Sequence, residues 1–169
     1  MALTPPRSGL YEPTFEHDAC GVAFVVDVHG RRSHRLIQLG LRALCNLEHR
    51  GASGAEADTG DGAGILLQVP DALYREVAGV ALPPPGAYGT GIGFLPTGDA
   101  ARREATAGFE RIAAGEGLQV LAWREVPVLA ATLGPTARRT MPALRQPFVA
   151  AADGAAGLAL ERRLWFLRK

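Results

Sequence analysis

Apolar positions along this chain fall into blocks whose period changes. The first block, Gly21-Val22-Ala23-Phe24-Val25-Val26-Asp27-Val28, is a nearly continuous run rich in β-branched residues and predicts a buried strand. His29-Gly30-Arg31-Arg32 ends it as a turn. Beyond Ser33, a residue type that caps helices, Leu36, Ile37, Gly40, Leu41, Leu44, Cys45 and Leu47 recur at steps of three and four. That spacing predicts an amphipathic helix with a wide face packed on a sheet, and it makes Cys45 a small core residue. From His49 to Gly64 the chain changes character, with Gly51, Gly54, Gly60, Gly62 and Gly64 among small and acidic residues. This reads as a loop before a second buried strand, Ile65-Leu66-Leu67-Gln68-Val69.

Further along, Asp71 to Val77 predicts a short helix, Leu82 to Gly89 a proline-rich connection, and Tyr88 to Leu95 a strand laden with glycine. Asp99 to Gly115 predicts a second amphipathic helix, capped by Asp99 and closed by Gly115 and Gly117, and Leu118 to Val128 a strand. Pro135, Pro142 and Pro147 exclude a long helix over 133–149 and predict a crossing segment into Pro147-Phe148-Val149. Leu158 to Leu167 is a further partly buried stretch, read as an unfinished strand. Only Arg168-Lys169 follows it, with no cap or polar tail, so the chain is expected to be the N-terminal part of a larger domain. The pattern as a whole is mixed α and β.

Composition narrows the function classes. With 169 residues, 47% of them hydrophobic and 21% charged, the chain can build a core. The formal charge of +1, from 18 basic and 17 acidic residues, leaves no electrostatic footprint for nucleic acid or an anionic membrane. No apolar run reaches transmembrane length, and residues 1–19, with Pro5, Pro6 and Pro13, contain no secretory h-region, so a cytoplasmic setting is expected. Cys20 and Cys45 are the only cysteines, too few for an iron–sulfur cluster held by cysteine and in no metal-binding spacing. Free thiols and no metal are the expectation.

Cys20 is the residue with chemistry to offer. Cleavage of the bond before it would place a thiol and an α-amine on one residue, and an amine with a reference pKa of about 7.7–8.0 can deprotonate a thiol of about 8.5. A lone cysteine at a strand end is otherwise structural. Gly21 keeps side-chain bulk away from an incoming amide, or serves backbone geometry alone. Arg50 follows a helix end, where a cation also favours the macrodipole. The run Gly60-Asp61-Gly62-Ala63-Gly64 is not a phosphate cradle, since neither Lys-Ser nor Lys-Thr follows and a strand comes next. Asp58 and Asp61 lack the ligand pattern of a calcium loop.

Three segments in order resemble the class II glutamine amidotransferase domain that opens the large subunit of glutamate synthases. They are His17-Asp18-Ala19-Cys20-Gly21-Val22, Leu47-Glu48-His49-Arg50-Gly51-Ala52, and Thr59-Gly60-Asp61-Gly62-Ala63-Gly64-Ile65-Leu66. Gln146-Pro147-Phe148-Val149 and Leu160 to Lys169 are weaker echoes. The resemblance implies an α+β fold of the N-terminal-nucleophile hydrolase type, a four-layer αββα sandwich with antiparallel sheets. It also implies a propeptide of residues 1–19, a domain portion over 20–169, Cys20 as nucleophile, and Arg50 and Gly51 beside it with Gly21 in support. Glutamine is then the substrate, and the remaining synthase domains or a companion chain are the partners. FMN and an iron–sulfur cluster are implied for the whole synthase and none for this chain.

The family's Asn-Gly oxyanion motif has no counterpart, because Asn46 is the only asparagine and Leu47 follows it. Loss of an oxyanion donor typically costs about 10²–10³ in rate, so the isolated chain is expected to be weakly active or inactive. Two other readings compete: an amidotransferase domain feeding a different acceptor, and a non-catalytic module derived from the same fold. The long loop between Arg50 and Gly64 disfavours the first, and an uncleaved leader would favour the second.

Overall fold

A computed structural model describes residues 20–51, 56, 59–60 and 62–169. The expected leader, residues 1–19, and the loop aspartates Asp58 and Asp61 lie outside the described residues. The chain divides into two compact units, one running to Leu67 and including Ala131–Arg138, the other comprising Gln68–Ala130 and Arg139–Lys169.

The second unit is built on an antiparallel sheet with one long central strand. In chain order its elements are α2 (Asp71–Val77), β1 (Tyr88–Thr90), β2 (Gly93–Leu95), α3 (Asp99–Gly115), β3 (Leu118–Glu125), the short helix α4 (Pro135–Thr140), whose last residues fall here, β4 (Ala143–Ala151) and α5 (Leu158–Arg168). Strand β4 pairs with β3 along one edge and with β1 and β2 along the other. The predicted Tyr88–Leu95 strand is interrupted, yet its register is not: Tyr88 faces Ala150 and Leu95 faces Ala143. The gap falls where Gly91 comes opposite Pro147, which has no N–H to give, and Thr90 Oγ1 instead donates to the Pro147 carbonyl at 2.8 Å. On the other edge a bulge between Val120 and Ala122 turns Leu121 and Ala122 toward the same core, where both pack.

Alternation along β4 buries both faces of the sheet. Phe148 and Ala150 join Tyr88, Leu82 and Ala78, with Tyr74 of α2 packed edge-on to Phe148 at 5.3 Å. Val149 and Ala151 point the other way, to Ala113 of α3 and Leu160 of α5. Leu160, Leu164 and Leu167 are the α5 residues in this second core, a helical spacing, so the stretch read as an unfinished strand is a helix. Gly89 is required there, because a Cβ on it would run into Leu164 Cδ1. Asp99 is the first residue of α3 and Gly98 the cap, a shift of one from the expected position.

The first unit carries α1 (His34–Asn46), a single turn of 3-10 helix (Glu48–Arg50), and the first residues of α4. Ser33 occupies the N-cap position in extended backbone but makes no side-chain cap bond. The turn after the first apolar run forms as expected, with Gly30 at φ +67° and the Asp27 carboxylate accepting from the His29 amide and the Arg31 guanidinium. Those bonds, the guanidinium's first, hold the Asp27 carboxyl below its usual range.

Several expectations for residues 21–69 fail. Residues 21–28 and 65–69 are not in strands: among the described residues no ladder pairs them, and a strand without a partner leaves its backbone to water. Val22, Phe24 and Leu66 are accordingly 87%, 90% and 100% exposed. Of the predicted α1 stripe, Leu36, Ile37, Gly40, Leu44 and Leu47 are half-buried while Leu41 is exposed; no residue of the helix is fully buried, and the described residues of its unit form no strand ladder. Cys45, expected in the core, is exposed. The fold class is the expected α+β with antiparallel pairing, and the described residues supply one sheet.

Candidate active site

Cys20 stands at the start of the described chain in irregular backbone, exposed and not in a disulfide. A nucleophile needs that access. Gly21 is tightly enclosed: a Cβ there would lie 2.9 Å from Leu47 Cδ2, 3.2 Å from Leu47 Cβ and 3.3 Å from Arg50 Cβ. The backbone next to Cys20 therefore rests on the end of α1 and on Arg50, and a side chain at position 21 would have to push Leu47 aside. The loop is local in cause, because the 3-10 turn Glu48–Arg50 continues the helix. The Arg50 amide donates to Leu47 O at 2.8 Å and the Gly51 amide to Glu48 O at 3.0 Å, after which Gly51 turns to extended backbone.

Of the expected site residues, then, Gly21 and Arg50 are in direct apposition, and Cys20 and Gly51 flank them in sequence. His49, given no catalytic role from sequence, is exposed on the same turn. Ile65 reaches Gly40 of α1, 2.9 Å from where its Cβ would be, so the segment after the glycine loop also lies along this helix.

A residue that sequence reasoning passed over sits inside the loop. The Glu56 carboxylate accepts hydrogen bonds from Thr59 Oγ1 at 2.9 Å, from the Thr136 amide at 3.2 Å and from Thr136 Oγ1. The Thr136 hydroxyl first, then its amide and Thr59, hold the Glu56 carboxyl below its usual range. Thr59 is a local partner, but two of the three bonds come from Thr136, 80 residues away, which no local signal marks. A cavity of about 200 Å³ on α1, lined by Arg35, Gln38, Leu39 and Arg42, contains none of the expected site residues.

The residues present do not fit an iron–sulfur cluster, for which two exposed cysteines are too few, and among the described residues no group of three or more His, Cys, Asp or Glu could hold a metal. No helix follows the glycine run directly, so it does not form a phosphate cradle at a helix N-terminus. Among the described residues no helix is long and apolar enough to cross a membrane.

Residues 20–169 match the family model for class-II glutamine amidotransferases, and the match starts at the cysteine itself. The chain belongs to that family. It is 40% identical over 167 residues to the NADPH glutamate synthase large chain of Bacillus subtilis, covering 98% of this chain and 11% of that protein. It is 39% identical over 175 residues to the NADH glutamate synthase of Schizosaccharomyces pombe, covering 98% and 8% respectively. With the ferredoxin-dependent glutamate synthase 1 of Arabidopsis thaliana it shares 40% identity over 171 residues, 99% of this chain and 10% of that one. This amidotransferase chain thus spans about a tenth of the length of these synthases.

Proposed function

We propose that this chain is the nucleophile-bearing part of a glutaminase domain that supplies ammonia within a glutamate synthase, and that Cys20 attacks the carboxamide of L-glutamine. The observation that carries the reading is the start of the family match at Cys20, next to a glycine enclosed by Arg50. In the uncut chain the Cys20 nitrogen is an amide joined to Ala19 and has no basic lone pair. Removal of residues 1–19 makes it an amine that takes the thiol proton, and the thiolate then adds to the carboxamide carbon. Collapse of the adduct expels ammonia, the amine returning the proton, and water hydrolyses the thioester to glutamate. Arg50 and Gly51 border the reacting sulfur, and Gly21 keeps the approach open.

Ammonia so released passes to 2-oxoglutarate in a further part of the synthase, in the cytoplasm, and FMN and the iron–sulfur cluster belong to that part. The chain has no Asn-Gly to hold the oxyanion, and on its own it hydrolyses glutamine slowly or not at all. Intact mass spectrometry after treatment with a glutamine-like chloroketone tests the reading. A mass lacking residues 1–19, with one adduct on Cys20, is expected. An intact N-terminus with an unlabelled thiol would instead support a non-catalytic module.

A further inference from the structure

We propose that Glu56 is a positioning residue for the Arg50–Gly51 turn beside Cys20, acting through its clasp on the first turn of α4. The proposal takes its chemical meaning from the glutaminase reading but not its geometry. Three donors converge on one carboxylate, the Thr136 amide and hydroxyl and the Thr59 hydroxyl, and two of them come from a segment 80 residues away. Such a tie is long-range where the rest of the turn is local: Arg50 and Gly51 are held by bonds to Leu47 and Glu48 only three residues back. Glu56 lies five residues beyond Gly51, a leash of roughly 17 Å when fully extended. A fixed Glu56 bounds how far the turn at Gly51 can stray from α4. The turn so restrained is the one on which the Gly21 backbone rests, through Leu47 Cδ2 and Arg50 Cβ. The charge is suited to the task, because a carboxylate accepts at both oxygens, whereas an amide in its place would offer one acceptor and clash its own N–H groups with a donor.

Amide hydrogen exchange on the full 169-residue chain and on Glu56→Ala, Glu56→Asp and Thr136→Val tests the proposal. In Glu56→Ala, exchange at Thr136, Arg50 and Gly51 rises together by about tenfold or more, while Val149 in the second unit keeps its rate. Thr136→Val, which removes one donor, gives a smaller rise at the same three amides, and Glu56→Asp, which keeps the carboxylate, recovers part of the protection. Acceleration at Thr136 with Arg50 and Gly51 unchanged overturns the proposal. If Val149 also accelerates in Glu56→Ala, the variant has loosened the whole chain and Thr136→Val decides on the same criterion. Labelling of Cys20 by the chloroketone, compared with iodoacetamide, separates the two claims. A parent chain with no preference for the chloroketone counts against the glutaminase reading alone, and the exchange rates still decide the role of Glu56.

Discussion

The two units of this chain are built differently: the second holds both buried cores, and the described residues of the first hold none. In the second, β4 is sandwiched between two cores, and Phe148 and Leu160 are sealed from solvent. In the first, the candidate nucleophile, its glycine and its arginine are set by one helix end and one turn, while Phe24 and Leu66 project into water. A sheet covered on both faces supports itself, but an extended apolar segment without a ladder does not. The candidate site residues are placed by a few close contacts and not by a sealed core.

The comparison is broken most severely by Phe148→Ala. Loss of a fully buried aromatic that meets both Tyr74 and Tyr88 should cost about 3–5 kcal/mol in denaturant unfolding. A cost below about 1 kcal/mol would mean that the second unit is not the stable one. Gly89→Val should cost about 1–3 kcal/mol by forcing Leu164 and α5 off the sheet, seen in the same measurement as a lower midpoint. Gly21→Ala sharpens the contrast: stability should fall by no more than about 1 kcal/mol, since Leu47 Cδ2 can shift, while chloroketone labelling of Cys20 slows several-fold. Phe24→Ser, at a position 90% exposed, should change stability by no more than about 0.5 kcal/mol and reduce binding of an apolar dye.

Acid tests the second unit in a different way. In the second, Arg163 grips Asp153 through two bonds of 2.9 and 2.8 Å and also reaches the Gly117 carbonyl, fastening α5 to the start of β3. The Arg163 guanidinium, and then the Ala155 amide, hold the Asp153 carboxyl down at about 2. A folded value below the unfolded one of about 3.9 means that the stabilisation is complete above pH 4 and is lost as the pH falls toward 2. Asp153→Asn should flatten that part of the acid unfolding curve and leave the curve near neutrality parallel to the parent's. Burial, and then its bond to Asp71, push the Tyr88 hydroxyl up to about 12, so the hydroxyl itself keeps its proton throughout the same acid range.

Helices whose causes are local could be read from the chain. Asp71–Val77 and Asp99–Gly115 have their predicted bounds because periodicity and flanking glycine or proline act within a few residues. The pairing of Leu118 with Ala151 and the split of one strand at Pro147 depend on partners far along the chain. Apolar runs at Val22 and Ile65 carry strand propensity, but propensity does not supply a neighbour. For the site, the motif residues pointed to Cys20, Gly21, Arg50 and Gly51, whereas the reason for Gly21, contact with Leu47, emerges only once the helix folds over it. Glu56 could not be found at all, because its meaning lies in Thr136.

The interrupted edge of the sheet has a consequence for how the molecule behaves in company. Strand edges recruit one another, and an uninterrupted eight-residue edge bearing Phe94, which is 74% exposed, would invite a neighbour to add on. Here the edge is two pieces of three residues each, parted at the glycine that faces Pro147. A foreign strand finds no continuous row of donors and acceptors to copy. The same proline that parts the ladder inside the fold thus leaves this edge in two short pieces.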